Sequence, residues 1–99
     1  MKVFWTPAAK RNLKEIEIYI SKDSIRYADE TIGKLYREIS VLEHNPYMGK
    51  MVIEICNNDF RELVSGNYRI IYKVHEDKIY ILAICHSARM LKKVLKLRE

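Results

Sequence analysis

The sequence predicts an α+β domain in which a helix hairpin packs on one face of a small, mostly antiparallel sheet. Two segments near the N-terminus repeat apolar residues at helical spacing. Two later segments rich in Ile, Val and Tyr flank the polar pair Glu76-Asp77, which is typical of a β-hairpin. With 99 residues, 48% of them hydrophobic, the chain suffices for one folded domain with a modest core, which we expect to span residues 1–99.

A short N-terminal strand and two helices are predicted first. The strand covers residues 2–5, and Thr6 is suited to cap a first helix that has Pro7 at its first position. Asp23 or Ser24 would cap a second helix, which we expect to reach about His44 before Asn45-Pro46 stops it. The expected buried faces are Ala9, Leu13, Ile16 and Ile20 on the first helix, and Ile25, Ala28, Ile32, Leu35, Ile39 and Leu42 on the second.

Four strands and a short C-terminal helix complete the prediction. Strands are expected at residues 51–55 and 60–64, followed by a hairpin that turns at Glu76-Asp77. The last helix would begin at Ser87 and expose a lysine-rich face. The predicted hairpin partners are His75 with Lys78, Lys73 with Tyr80, Ile71 with Leu82, Arg69 with Ile84, and Asn67 with His86.

This pairing assigns each hairpin side chain to a face, because successive strand residues point to opposite sides of a sheet. The buried face is predicted to hold Tyr68, Ile70, Tyr72, Val74, Ile79, Ile81, Ala83 and Cys85. The open face is predicted to hold Arg69, Ile71, Lys73, His75, Lys78, Tyr80, Leu82, Ile84 and His86. We therefore expect functional residues on the second, mixed and basic face.

Charge and composition limit the possible functions. The net charge is +5, and residues 86–99 account for +4 of it, which suits a nucleic acid, a ribosome or an acidic protein partner, or simply a solvated basic helix face. No apolar run is long enough to cross a bilayer and no signal-peptide pattern is present, so we expect a cytoplasmic protein without a membrane partner. The two cysteines lack metal-site spacing, and we expect them to be reduced, with no cofactor.

Several motifs along the chain resemble the RelE/ParE toxin superfamily. They are Trp5-Thr6-Pro7-Ala8-Ala9 before an amphipathic helix, Asn45-Pro46 with Gly49 after the second helix, Phe60-Arg61-Glu62-Leu63, Gly66-Asn67-Tyr68-Arg69-Ile70-Ile71-Tyr72, and a last strand ending in His86 and Arg89. The resemblance implies the toxin of a bacterial type II toxin–antitoxin system, held inactive in a hetero-oligomer with a cognate antitoxin. RelE-like members cleave mRNA in the ribosome, whereas ParE-like members poison DNA gyrase.

The RelE-like alternative would use Arg69, His86 and Arg89 as catalytic residues. Cleaving RNA without a metal requires a base, an acid and cations near the phosphorane, and these three residues resemble the active-site positions of such nucleases. Against this, Phe60 and Glu62 stand where lysine-using members carry cations. The Trp-Thr-Pro-Ala-Ala opening and the His-x-x-Arg ending are more similar to ParE, so the ParE-like reading is favoured.

Structural interpretations of the same residues remain open. Arg69 is equally suited to pair with Glu62 or Glu54 on a neighbouring strand. An inactive toxin homologue and a simple RNA-binding domain are further alternatives, although no RNP or GXXG motif is present. For antitoxin binding, we expect an apolar strip on the open face among basic residues: Ile71, Lys73, Tyr80, Leu82 and Ile84.

Overall fold

The computed structural model describes residues 1–86, which form two helices and a single five-stranded sheet. The strand order is β1-β5-β4-β3-β2, and only the β1–β5 pair is parallel. This agrees with the predicted α+β class, whereas the helix predicted from Ser87 lies outside the described residues. The elements are β1 (Lys2–Trp5), α1 (Pro7–Ser21), α2 (Ile25–Val41), β2 (Lys50–Met51), β3 (Phe60–Ser65), β4 (Tyr68–His75) and β5 (Lys78–His86).

Helix α1 begins and packs as the sequence predicts. The Thr6 hydroxyl accepts a hydrogen bond from the Ala9 backbone N–H at 3.2 Å, and Pro7 occupies the first helical position, where its missing N–H costs nothing. The buried residues Ala9, Leu13 and Ile20 then recur on one face, which contacts the sheet.

Helix α2 begins at one of the two predicted caps but ends earlier than predicted. Its cap is Ser24, whose hydroxyl accepts a hydrogen bond from the Tyr27 N–H at 3.0 Å, and the helix ends at Val41 rather than near His44. The expected burial of Ile25 is wrong, because this residue is 71% exposed in the first helical turn, ahead of Ala28, the first buried position. Ala28, Leu35, Ile39 and Leu42 are buried as expected.

The segment between α2 and β3 forms a folded loop rather than the predicted strand over residues 51–55. Strand β2 has two residues, after which Val52 is fully buried and its N–H donates to the Phe60 carbonyl at 3.2 Å. The Arg61 guanidinium holds the loop by donating to the carbonyls of Gly49 and Asn58. A Cβ on Gly49 would collide with the Glu62 carbonyl and the Tyr72 hydroxyl, so this close approach requires glycine.

The β4–β5 hairpin keeps the predicted register near its turn and loses it in the middle. His75 pairs with Lys78 and Lys73 with Tyr80, as predicted, but a β-bulge follows between Ile71 and Tyr72. Leu82 and Ala83 together stand opposite Ile71, so the remaining pairs shift by one residue. The predicted pairs Ile71–Leu82, Arg69–Ile84 and Asn67–His86 are therefore wrong, and Arg69 instead faces Cys85.

Thr6, which lies between β1 and α1, stabilises this bulge. Its hydroxyl lies 2.8 Å from the Ile81 carbonyl oxygen and 3.3 Å from that of Leu82. Consecutive carbonyls point to opposite edges of a regular strand, so one hydroxyl reaches both only where the strand is bulged. Beyond the bulge, the Ile84 N–H donates to the Asn12 side-chain oxygen at 3.0 Å. This hydrogen bond gives Ile84 a partner on the part of β5 that β1 is too short to pair with.

Both faces of the sheet carry buried apolar residues. The larger cluster lies between the sheet and the helices, and it includes Leu35, Ile70, Tyr72, Ile79, Ile81 and Ile84. The smaller cluster lies on the opposite face beneath the loop that precedes β3, and it consists of Val52, Phe60, Ile71 and Ala83. Among residues 1–86, neither helix is long and apolar enough to cross a membrane.

Candidate functional site

The bulge in β5 puts Arg69 and His86 on different faces of the sheet, although the sequence predicted that they share one face. After the bulge, Ile84 belongs to the cluster beneath the helices, and His86 packs on the same side against Tyr68. Arg69 points to the opposite face, beside Glu62 and Cys85. The prediction that Arg69 and His86 share an open face is therefore wrong, because the extra residue reverses the alternation of side chains along the end of β5.

Arg69 forms an ion-pair cluster with two carboxylates. Its Nε donates to Glu62 Oε2 at 2.5 Å, and its Nη1 and Nη2 lie 3.5 Å from the two Glu54 oxygens. The Arg69 side chain is 13% exposed and that of Glu62 is 6% exposed, whereas Glu54 is 44% exposed at the rim. The structural interpretation of Arg69 as a cross-strand ion-pair partner is therefore confirmed.

The cluster shifts the pKa of three of its members. Burial acts to lower the pKa of Arg69, but the hydrogen bonds and charges of Glu62 and Glu54 outweigh it and raise that pKa. For Glu54, slight burial raises the pKa, while its own backbone N–H and Arg69 lower it by more. Burial raises the pKa of the Cys85 thiol despite the nearby Arg69 charge, so Cys85 is a poor nucleophile in the folded protein.

His86 ends β5 on the helix side of the sheet. Its ring meets that of Tyr68 edge-on, with 6.0 Å between the ring centroids. Its Nδ1 atom is buried and has no hydrogen-bond partner within residues 1–86. The third predicted catalytic residue, Arg89, lies outside the described residues.

The predicted apolar strip on the open face is smaller than expected. Ile71 is fully buried beneath the loop that precedes β3, and Ile84 is 2% exposed beneath the helices, so their expected exposure on the open face is wrong. Lys73, Tyr80 and Leu82 remain partly exposed on the open face. The loop covers Ile71, and the bulge moves Ile84 to the other side of the sheet.

One residue of the open face was not predicted from the sequence. Phe4 pairs with Tyr80 across β1 and β5, is 40% exposed, and stacks on the Tyr80 ring with 5.7 Å between the centroids. On the same face, the Lys73 Nζ lies 5.2 Å from the centroid of the Phe60 ring. The alternation of Phe4 with the partly buried Val3 and Trp5 is the signal that could have identified it.

A groove on the helix side forms a second candidate surface. It has a volume of about 750 Å³ and lies between the helix hairpin, the turn that joins β3 to β4, and the end of β5. Tyr19 and Tyr27 on its wall are 72% and 59% exposed, and Tyr68 and His86 also line it. Burial raises the pKa of Tyr68, and the nearby Tyr27 and Tyr19 raise it further.

The described residues offer no site for a bound metal. Residues 1–86 contain no group of three or more His, Cys, Asp or Glu side chains placed to hold a metal ion. Cys85 is buried and Cys56 is exposed, and both are free thiols.

Comparisons with known proteins place this architecture in a family. Residues 3–91 match the model of the ParE toxin of type II toxin–antitoxin systems, parDE. Among solved structures, a chain of a chromosomal ParDE toxin–antitoxin system from P. aeruginosa has a TM-score of 0.73 at 20% identity, with 87% of this chain and 95% of that chain covered. No match was found among the curated proteins. Because the family model covers most of the sequence, this chain belongs to the ParE toxin family of type II toxin–antitoxin systems.

Proposed function

We propose that this ParE-family toxin inhibits DNA gyrase and does not cleave mRNA. The observation that carries the proposal is the bulge in β5, which leaves Arg69 and His86 on opposite faces of the sheet. A metal-free ribonuclease needs its base, acid and cation around one phosphate, and two groups separated by the sheet do not meet that requirement.

The surroundings of Arg69 support the same conclusion. Its guanidinium already faces two carboxylates, and a phosphate would have to displace the buried Glu62 or lie against its negative charge. Glu62 itself stands where lysine-using nucleases of the superfamily place a cation. Arg69 therefore stabilises the sheet, and its charge is not available to a scissile phosphate.

An antitoxin is the partner that membership of a toxin–antitoxin family implies. We propose that the cognate antitoxin forms a hetero-oligomer with this chain and covers the exposed part of the open face. This surface consists of Phe4, Lys73, Tyr80 and Leu82, where aromatic and apolar groups lie beside a lysine. Such a surface suits a segment with apolar anchors and acidic residues.

Two parallel reactions test the choice of target. Purified toxin is added to a gyrase supercoiling reaction, which is also analysed for trapped, cleaved DNA, and to a translation extract in which primer extension detects cuts in the message. We expect blocked supercoiling with intact mRNA. Adding the cognate antitoxin should restore supercoiling, which controls for contaminating nucleases and for nonspecific effects of a basic protein.

Two single-residue variants test whether His86 and Arg69 take part in the activity. His86→Ala and Arg69→Ala are assayed beside the wild type after circular dichroism has confirmed that each variant is folded. Ribosome-dependent cuts that both substitutions abolish would overturn the proposal and establish a nuclease. An effect on neither gyrase nor message, with antitoxin binding retained, would instead indicate an inactive homologue.

A further inference from the structure

The groove on the helix side has an acidic rim. Glu15 on α1, Asp23 in the connection between the helices and Glu30 on α2 all line it, whereas Lys34 is the one lysine or arginine among its lining residues. The apolar part of the wall comes from Tyr19, Tyr27, Ile16, Leu35 and Ile84. A wall of this composition suits a segment that carries both cations and apolar side chains.

The C-terminal segment has the complementary composition. Residues 87–99 contain five Lys and Arg and one Glu, for a net charge of +4, so the rest of the chain carries only +1 of the total +5. Met90, Leu91, Val94 and Leu95 repeat at a spacing that brings apolar side chains to one side of a helix. Cations and apolar anchors thus occur together in the one segment that lies outside the described residues.

The described chain ends beside the groove, so the segment with the complementary composition is attached next to it. His86 is the last described residue and lines the groove, so residue 87 starts at its wall. Thirteen residues would reach about 20 Å as a helix and about 43 Å when extended. The part of α1 that lines the groove, from Asn12 to Ile20, spans about 12 Å. The segment is therefore long enough to follow the groove from one end to the other.

We propose that residues 87–99 dock in this groove, with their Lys and Arg residues facing Glu15, Asp23 and Glu30 and their apolar residues covering the exposed tyrosines. A covalently attached segment binds at a high effective concentration, which favours it over a separate partner of similar composition. Any protein that binds the groove must first displace this segment. The proposal does not depend on whether gyrase is the target.

Hydrogen exchange of the full-length chain tests the docking. Amide exchange is followed by mass spectrometry in peptides from residues 87–99, for the wild type and for Glu15→Lys/Glu30→Lys. We expect wild-type amides in this segment to exchange at least about 10-fold more slowly than an unstructured chain, and the groove variant to lose that protection. Glu17→Lys/Glu76→Lys is the matched control, because it makes the same charge change at the partly exposed Glu17 and the exposed Glu76, neither of which lines the groove.

A charge swap separates docking from general instability. Lys92→Glu/Lys93→Glu alone should expose the segment to exchange. Combining it with Glu15→Lys/Glu30→Lys should restore at least part of the protection, because opposite charges again face each other. If the two changes acted independently, their losses of protection would add. The combined variant also shows that the groove variant can fold. Exchange of the wild-type segment at unstructured rates would overturn the proposal, as would equal loss of protection in the control.

Two further outcomes would identify a different occupant. Protection that rises with protein concentration would assign the groove to the segment of a second copy and overturn docking within one chain. An unprotected segment, combined with groove amides that become protected when the antitoxin is added, would assign the groove to the antitoxin. Protection that is independent of concentration and present without antitoxin is the expected result.

Discussion

Arg69 illustrates how a charged residue can resemble a catalytic one and yet stabilise the fold. It lies in a strand at low exposure, and Glu62 on the next strand is more deeply buried. An unpaired guanidinium in that position would carry a large desolvation cost, so the carboxylates are a physical requirement of its burial. Glu62 and Glu54, which the sequence offers as partners on neighbouring segments, were the sequence signal for this arrangement.

Replacing Glu62 should destabilise the protein far more than replacing Glu54. We expect Glu62→Ala to lower the free energy of unfolding by about 2–4 kcal/mol, because Arg69 would keep only the longer contacts to Glu54. Glu54→Gln should cost less than about 1 kcal/mol, since Glu54 is 44% exposed. Urea denaturation of both variants measures the difference, and equal losses would contradict the assigned roles.

Tyr72 should make stability depend on pH in the alkaline range. Its buried hydroxyl accepts the Gly49 N–H at 2.9 Å, and burial raises the pKa of Tyr72 above its ordinary value of 10.0 even though the Gly49 hydrogen bond and Arg61 lower it. A raised pKa in the folded state means that stability is complete below the unfolded pKa and is lost as pH rises through the folded pKa.

Tyr72→Phe tests this dependence directly. The variant should be about 1–2 kcal/mol less stable at neutral pH, because the Gly49 N–H loses its acceptor. Above about pH 10 it should lose less further stability than the wild type, since one raised tyrosine pKa is removed. Thermal unfolding between pH 7 and pH 11 makes the comparison, with the 52% exposed Tyr36 replaced by Phe as the control. Parallel pH profiles would refute the prediction.

At the scale of elements, the bulge in β5 determines which side chains the two faces present. It moves Ile84 and His86 beneath the helices and leaves Ala83 and Cys85 on the side of Arg69. Thr6 connects this irregularity to the start of α1, because one hydroxyl caps the helix and contacts both carbonyls at the bulge. The N-terminal Thr-Pro motif therefore also supports the geometry of the last strand.

Thr6→Val should weaken both elements at once. The substitution keeps the shape of the side chain but removes the hydroxyl, so we expect a loss of about 1–2 kcal/mol in unfolding free energy. Thr6→Ser retains the hydroxyl and should lose less than half as much. Thermal denaturation gives the stabilities, and hydrogen exchange at Ala9 and at Ile84, which follows the bulge, reports whether the helix start and the bulge both loosen. A Val variant as stable as the Ser variant would contradict this role.

For the whole molecule, the two sheet faces and the uneven charge define two separate surfaces. The open face presents a small aromatic and apolar patch beside Lys73, and the helix side presents an acidic groove. Most of the excess positive charge belongs to residues 87–99. Partners of opposite charge would therefore approach different sides of the molecule, and substitutions on one side should leave binding at the other intact.

Leu82→Glu should weaken antitoxin binding by at least about 10-fold. Leu82 is partly buried at the bulge, and a carboxylate there would lose hydration in the complex without gaining a partner. Ile25→Glu is the control, since Ile25 is 71% exposed at the start of α2, away from the open face. Isothermal titration of folded variants measures both affinities. Unchanged affinity for Leu82→Glu together with a loss for Ile25→Glu would place the antitoxin on the helix side.

Local signals were enough to predict the class of fold, the start of α1, the turn of the hairpin and the family resemblance. These properties depend on local signals, namely Thr6-Pro7, the helical repeat of apolar residues, and the polar pair between two strands. The faces that Ile84 and His86 occupy, and the burial of Ile71 by the loop before β3, became visible only in the folded structure. A bulge depends on hydrogen bonds from a distant segment, here Thr6 and Asn12. The alternation of side chains along a single strand does not reveal such hydrogen bonds.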